Sequence, residues 1–299
     1  MDIYDTIEKF LDTSSYEKKI IVIYWPTACW KTSLWIEIAK KIDTEIISTD
    51  SRQIFQYLNV WTGKVYDEEM KWVLHHMINI IPPDTGYSVG EFKKSAENIC
   101  NNLQSRWKIP ILVWWTWLYI DSVIYDFDIP KVPNNILLRK QLEEEAEKFW
   151  KMYVYNKLLE IDKEYAWEIH PNNLQYVIRA LEIKLTTGKS KKDFRTEKKL
   201  KYKTLFLTPY DGDRQSLYTN INLRVENMFC NWFVEEVESL LKNWYKKTDV
   251  WLQTIGYKEI IEYLEWTITY EHCIDTVKQL NRNYAKRQLT WFSKYEWIH

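Results

Sequence analysis

Apolar positions along the chain fall into short runs and helical stripes. Ile20-Ile21-Val22-Ile23, rich in β-branched residues, predicts a buried parallel strand. Leu34, Ile38 and Ile42 follow at helical spacing. Glu45-Ile46-Ile47-Ser48 predicts a second strand, and Phe92, Ala96, Ile99 and Leu103 an amphipathic helix over 91–106. Ile109-Pro110-Ile111-Leu112-Val113 predicts a third strand. Ahead of all these, Ile3, Ile7, Phe10 and Leu11 punctuate a polar segment that predicts a short helix. Strands alternating with helices imply an α/β fold with a parallel, doubly wound sheet and helices on both faces.

The pattern changes near residue 126. Residues 137–185 are charged and helical with no clear strand, and Lys203–Thr208 reads as a strand returning to the sheet. The expected organisation is therefore a first part of the core over 1–125, a helical insertion over 126–199, and a core completion with C-terminal helices over 200–299. The last helix carries Lys278, Arg282 and Lys286 at i, i+4 and i+8, with Arg287 beside them.

The formal net charge of −1 leaves nucleic-acid contact to local basic patches. Four scattered cysteines without CxxC pairing imply free thiols in a reducing compartment. No signal peptide or apolar run of transmembrane length is present, so a cytoplasmic protein is expected. The tandem His75-His76 points in two directions and reads as structural and hydrogen-bonded, not as a metal site.

One number changes the picture. At ~7% usage a chain of this length would hold about 21 glycines; this one holds 6 glycines and 17 tryptophans. The tryptophans fall where turns want glycine. Trp114-Trp115-Thr116-Trp117 follows the third strand, where Gly-Gly-Thr-Gly would be ordinary. Some bacterial lineages decode UGA as glycine, and a table assigning that codon to tryptophan would print an indole at each. The other reading is a truly tryptophan-rich protein.

The same substitution affects the stretch with the clearest chemistry. The first strand runs into Trp25-Pro26-Thr27-Ala28-Cys29-Trp30-Lys31-Thr32 and then a helix. That is the layout of a phosphate-binding loop, G-x-x-x-x-G-K-[ST], with both glycines printed as tryptophan. In such a loop main-chain N–H groups and a helix N-terminus surround phosphate, the lysine adds a cation, and the hydroxyl reaches Mg²⁺. The second strand delivers Thr49-Asp50-Ser51-Arg52-Gln53 to a strand end, where open α/β sheets bind ligands.

These segments resemble the tRNA dimethylallyltransferases (MiaA-type tRNA isopentenyltransferases), over nearly the whole chain. The family's GPTASGKT is matched by Trp25 to Thr32, its D-S-x-Q-[IV]-Y by Asp50 to Phe55, and its IGTAKP by Val60 to Val65. HHLID, GGTGLYI and HPND are matched at His75, Trp114 and His170, GLQ-x-IGYKE from Trp251 to Glu259, and YAKRQ-x-TWF from Tyr284 to Phe292. Most tryptophans stand where this family has glycine. Trp291 stands where it has tryptophan.

The resemblance implies transfer of a dimethylallyl group from dimethylallyl diphosphate to the exocyclic amine of the adenosine 3′ of the anticodon, in tRNAs reading codons that start with U. The phosphate loop would hold the leaving diphosphate, not ATP. Lys31 and Mg²⁺ on Thr32 would neutralise it, and Asp50 would take the amine proton. Thr116 would lie beside the diphosphate or the base. Residues 25–32 with Arg179, Arg214 and Arg224 are the implied diphosphate ligands. Asp50, Ser51, Arg52, Gln53, Thr116, Arg139, Gln175, Arg179, Lys286, Arg287 and Gln288 are the implied tRNA contacts. The insertion would grip the anticodon stem-loop, and a monomer is expected. Competing readings are a phosphate-loop kinase, an enzyme that prenylates free adenine nucleotides, and, if the tryptophans are real, a catalytically dead RNA-binding homologue.

Overall fold

The computed structural model describes residues 3–13, 18–28, 32–113, 116–125, 132, 135–194, 199–243, 245–249, 251 and 254–292, with the side chains of residues 32, 33 and 292 left undescribed. The chain divides into two compact units, Met1–Tyr125 with Leu200–His299, and Asp126–Lys199.

The first unit opens with α1 (Ile3–Leu11), β1 (Lys19–Ile23), α2 (Thr32–Lys41) and β2 (Ile46–Ser48). It continues with α3 (Asp67–Met70), β3 (His75–His76), α4 (Val89–Ser105), β4 (Ile111–Val113) and α5 (Trp117–Ile124). The second unit holds α6 (Ile136–Phe149), α7 (Lys151–Ile161), α8 (Lys163–Ala166) and α9 (Leu174–Thr187). The chain then resumes the first unit with β5 (Lys203–Leu207), α10 (Arg214–Cys230), α11 (Phe233–Lys242), α12 (Tyr257–Leu264) and α13 (Tyr270–Phe292).

Five parallel strands form one sheet in the order β3-β2-β4-β1-β5. The expected strands are all present, each within a few residues of its sequence-based bounds. β1, β2 and β4 are buried along their whole length, which is why they read as continuous apolar runs instead of alternating ones. Ile21, Ile23, Ile46, Ile111 and Val113 join Ile36, Ile38 and Ala39 of α2 in one core cluster. Ser88 starts α4 with a full capping box, its hydroxyl accepting from the Glu91 N–H while Glu91 accepts from the Ser88 N–H. The helical unit packs a core of its own from Leu142, Val154, Leu158, Val177, Ile178 and Leu181.

This topology positions the site. β2, β4 and β1 are neighbours, so their C-terminal ends bring together Asp50, Thr116 and the loop that starts at Trp25. Thr49 fastens two of those ends: its N–H and its hydroxyl both donate to the Val113 carbonyl oxygen (2.8 and 2.9 Å), and its own carbonyl accepts from the Thr116 N–H (3.2 Å).

Candidate active site

Asp50 stands just past β2 and is 2% exposed. It lines a cavity of about 290 Å³ together with Thr27, Ala28, Ser51, Arg52, Arg224 and Arg287. One carboxylate oxygen accepts from the Arg52 N–H at 2.7 Å, so Asp50 also caps its own turn. Burial pushes the Asp50 carboxyl above the usual range, opposed by the Arg52 N–H and charge and by the Arg224 guanidinium. The Thr116 hydroxyl oxygen accepts from the Ser51 N–H at 3.0 Å and steadies the segment carrying Asp50, while its carbonyl accepts from the Tyr119 and Ile120 N–H groups (2.8 and 3.1 Å).

Arg224, on α10, reaches into this arrangement. It donates to Thr27 Oγ1 and to the Trp61 carbonyl oxygen, both at 3.2 Å. Burial lowers its pKa to about 10, opposed by Asp50. The approach is close at Gly63, where an added Cβ would lie 2.9 Å from Arg224 Nη2. A second cavity of about 770 Å³ shares Ala28, Arg224 and Met228 with the first and is lined further by Trp25, Val60, Val65 and Tyr66.

The turn 59–64 is held at both ends by charge that the sequence did not single out. Glu236 of α11 accepts from the Asn59 N–H (2.8 Å), the Val60 N–H (2.9 Å) and the Tyr257 hydroxyl (2.6 Å). Lys64 is 6% exposed and donates to the Phe55 carbonyl (2.5 Å), Asn59 Oδ1 (3.1 Å) and Asn79 Oδ1 (2.6 Å). Burial lowers its pKa to about 8, with Glu236 and Asp50 opposing. The only sequence sign of this arrangement is a lysine, Lys64, closing a turn that carries no other charge.

Several of the expected RNA or phosphate contacts are engaged within the protein. Gln53 is fully buried, accepting from the Ser48 hydroxyl (2.8 Å) and donating to the Thr62 carbonyl (3.1 Å). Gln288 is 4% exposed and its amide oxygen accepts from the Thr27 N–H at 3.0 Å. Both glutamines brace main chain around the cavity. Arg214 lies exposed at the start of α10, donating to the Tyr218 hydroxyl at 2.9 Å, and does not line the cavity. The basic stripe of α13 is partly spent on α10: Lys278 pairs with Glu226 (2.6 Å) and Arg282 donates to Asn222 (2.5 Å). Lys286 is exposed, and Arg287, over the Tyr284 ring, lines the cavity.

Arg139, Gln175 and Arg179 belong to the helical unit. Arg139 and Arg179 both pair with Glu182, whose side chain is fully buried, Arg139 at 2.6 Å. Burial favours the neutral acid, but hydrogen bonds from Arg139, Arg179 and the Asn135 N–H outweigh it and bring Glu182 down to about 2. Gln175 donates to Glu143 at 3.1 Å. Cys29, Trp30 and Lys31, and the side chain of Thr32, lie outside what is described.

His75 Nδ1 lies 2.8 Å from the Val73 carbonyl and His76 Nε2 2.7 Å from Glu45, as expected of hydrogen-bonded structural histidines. Among the described residues no group of three His, Cys, Asp or Glu could hold a metal ion, and no helix is long and apolar enough to cross a membrane.

Comparison with known proteins follows the same lines. Residues 53–295 match the model of the IPP transferase family. A tRNA dimethylallyltransferase of Alkaliphilus oremlandii is 44% identical over 284 residues, 95% of this chain and 91% of that protein. One from Clostridioides difficile is 40% identical over 279 residues, 93% and 89% of the two chains. The crystal structure of a tRNA isopentenylpyrophosphate transferase from Staphylococcus epidermidis is similar at a TM-score of 0.68 and 37% identity, covering 95% of this chain and 92% of that one. A eukaryotic dimethylallyltransferase caught acting on tRNA is similar at a TM-score of 0.77 and 30% identity, over 92% and 69% of the chains.

Proposed function

The chain belongs to the IPP transferase family and is a tRNA-prenylating enzyme, and from that premise we propose that it moves a dimethylallyl group from dimethylallyl diphosphate to the exocyclic N6 amine of the adenosine 3′ of the anticodon, in tRNAs reading U-starting codons. The observation that carries this reading is the cavity in which a buried carboxylate, Asp50, shares walls with phosphate-loop residues Thr27 and Ala28 and with Arg52, Arg224 and Arg287. A base for the incoming amine and cations for the departing diphosphate then stand on either side of one reaction centre.

In the step, the N6 nitrogen forms a bond to the terminal carbon of the dimethylallyl group as the carbon–oxygen bond to diphosphate breaks. The amine proton passes to the Asp50 carboxylate, whose raised affinity for protons suits it to that task. Arg224 and loop N–H groups, with Lys31, stabilise the charge growing on the bridging oxygen. The second, more apolar cavity gives the donor's hydrocarbon an approach separate from that of the base. The base must leave the anticodon stack to reach Asp50, and the helical unit would grip the stem.

Magnesium keeps much of its shell as phosphate and water, so a Mg²⁺ ion would be held by the Thr32 hydroxyl and the diphosphate, leaving Asp50 free as the base. When bound it would neutralise diphosphate. The protein is proposed to act as a cytoplasmic monomer.

The test incubates the protein with dimethylallyl diphosphate and an anticodon stem-loop, without ATP. A prenylated adenosine is expected, undiminished by excess AMP. Phosphoryl transfer from ATP with no prenyl product would favour the kinase reading instead.

A further inference from the structure

Five tryptophans adopt a backbone that indoles avoid. Trp72 (φ 71°), Trp107 (60°), Trp150 (72°), Trp232 (69°) and Trp266 (61°) all have positive φ. Among the described residues every tyrosine and phenylalanine together supplies one such case, Tyr57. Four of the six glycines, Gly63, Gly188, Gly212 and Gly256, have positive φ. In this respect the tryptophans behave as glycine does and the other aromatics do not.

At two of those positions hydrogen bonds show why the conformation is required. After α4 the Trp107 N–H donates to the Gln104 carbonyl (3.1 Å) and the Lys108 N–H to the Leu103 carbonyl (2.9 Å). After α12 the Trp266 N–H donates to Tyr263 (2.9 Å) and the Thr267 N–H to Glu262 (3.0 Å). Each is a complete Schellman ending, whose left-handed residue is usually glycine. Trp150, between α6 and α7, has φ 72° and ψ 155°, a region that essentially only glycine occupies.

Burial offers no compensation. Trp72, Trp107, Trp150, Trp232 and Trp266 are 103%, 93%, 82%, 72% and 91% exposed. A strained backbone persists where packing over-determines it, and an indole standing in solvent has no such packing.

We infer that the natural polypeptide carries glycine at positions 72, 107, 150, 232 and 266, encoded by UGA read as glycine. A reassigned codon acts throughout a gene, so Trp25 and Trp61, which line the two cavities, are glycine too wherever their codons are UGA. The inference rests on backbone geometry, not on the prenyl-transfer reading.

The experiment reads the codons and the peptide masses of the protein isolated from its own cells. UGA at these five positions, with peptides of glycine mass, is expected; UGG codons or indole-bearing peptides overturn the inference. A synthetic gene encoding glycine at the five positions should also give a protein with a higher Tm than one encoding tryptophan. An unchanged or lower Tm would refute the claim that the backbone there demands glycine. None of these readouts uses enzymatic activity, so failure of the proposed function would leave them unchanged.

Discussion

Arg224 and Thr27 are joined by a 3.2 Å hydrogen bond from the guanidinium to the threonine hydroxyl, and the same guanidinium holds the Trp61 carbonyl. One cation thus links the first strand's loop to the turn 59–64 at the point where the two cavities meet. A lysine can supply the charge but not the fork that spans both acceptors. Arg224→Lys should lower kcat/KM for the prenyl donor by about a hundredfold, the scale of losing one positioned donor to a developing anion. Binding of the anticodon stem-loop should be nearly unchanged. Steady-state kinetics with RNA-binding titration checks both, and an equal loss in RNA affinity would assign Arg224 to the RNA instead.

Asp50 should dominate the acid side of the pH profile. Burial raises its pKa above the ordinary ~3.9, and only the carboxylate can accept the amine proton. Activity should therefore climb with pH through the raised value and then level off. Asp50→Asn should lose most turnover, retain RNA binding, and show no such climb in its residual rate. A pH–rate series on both proteins measures this, and a surviving acid limb in the variant would place the base elsewhere.

The sheet was legible because its central strands are buried on both faces and carry long apolar runs. Asp50, Thr116 and Thr27 were legible too, since each follows such a run at a strand's C-terminal end. The direction of side chains was not. Gln53 and Gln288 sit in polar-looking segments and could have faced RNA, but the fold turns both inward onto main chain. The burial of Lys64 depends on acceptors at 55, 59 and 79 that converge only in three dimensions. The spacing of Lys278, Arg282 and Lys286 shows one basic face of α13 but not that α10 packs along it and takes up Lys278 and Arg282.

Arg139 and Arg179 serve the buried Glu182 before anything else. Arg139→Ala leaves Glu182 with Arg179 and the Asn135 N–H, so it should destabilise the protein by about 1–3 kcal/mol, the scale of one lost charged hydrogen-bonding partner, whereas Gln175→Ala, on an exposed pair, should change stability little. The sign with pH follows from Glu182 being held at about 2, below its unfolded value near ~4.3. Its contribution is complete above the unfolded value and is lost as pH falls towards 2. Thermal unfolding of the full chain between neutral and acid pH checks this. A variant as stable as the parent at neutral pH would leave Arg139 available to the stem-loop.

Lys64 should give the opposite dependence. Its pKa falls to about 8 in the folded chain, against ~10.4 when unfolded. Between those values the unfolded state binds more protons, so this lysine's contribution to stability rises with pH, by up to about 3 kcal/mol. Below pH 8 both states are charged and the contribution is flat. Lys64→Met removes the titration while leaving three acceptors unsatisfied, so it should be less stable throughout. The gap between parent and variant should widen from pH 8 to pH 10, read as urea midpoints at matched ionic strength. The physical cause is that the turn holds an ammonium among neutral carbonyl and amide oxygens, with the carboxylates of Glu236 and Asp50 acting only through space. A gap that stays constant would mean that water reaches Lys64 and that the turn is not closed around it.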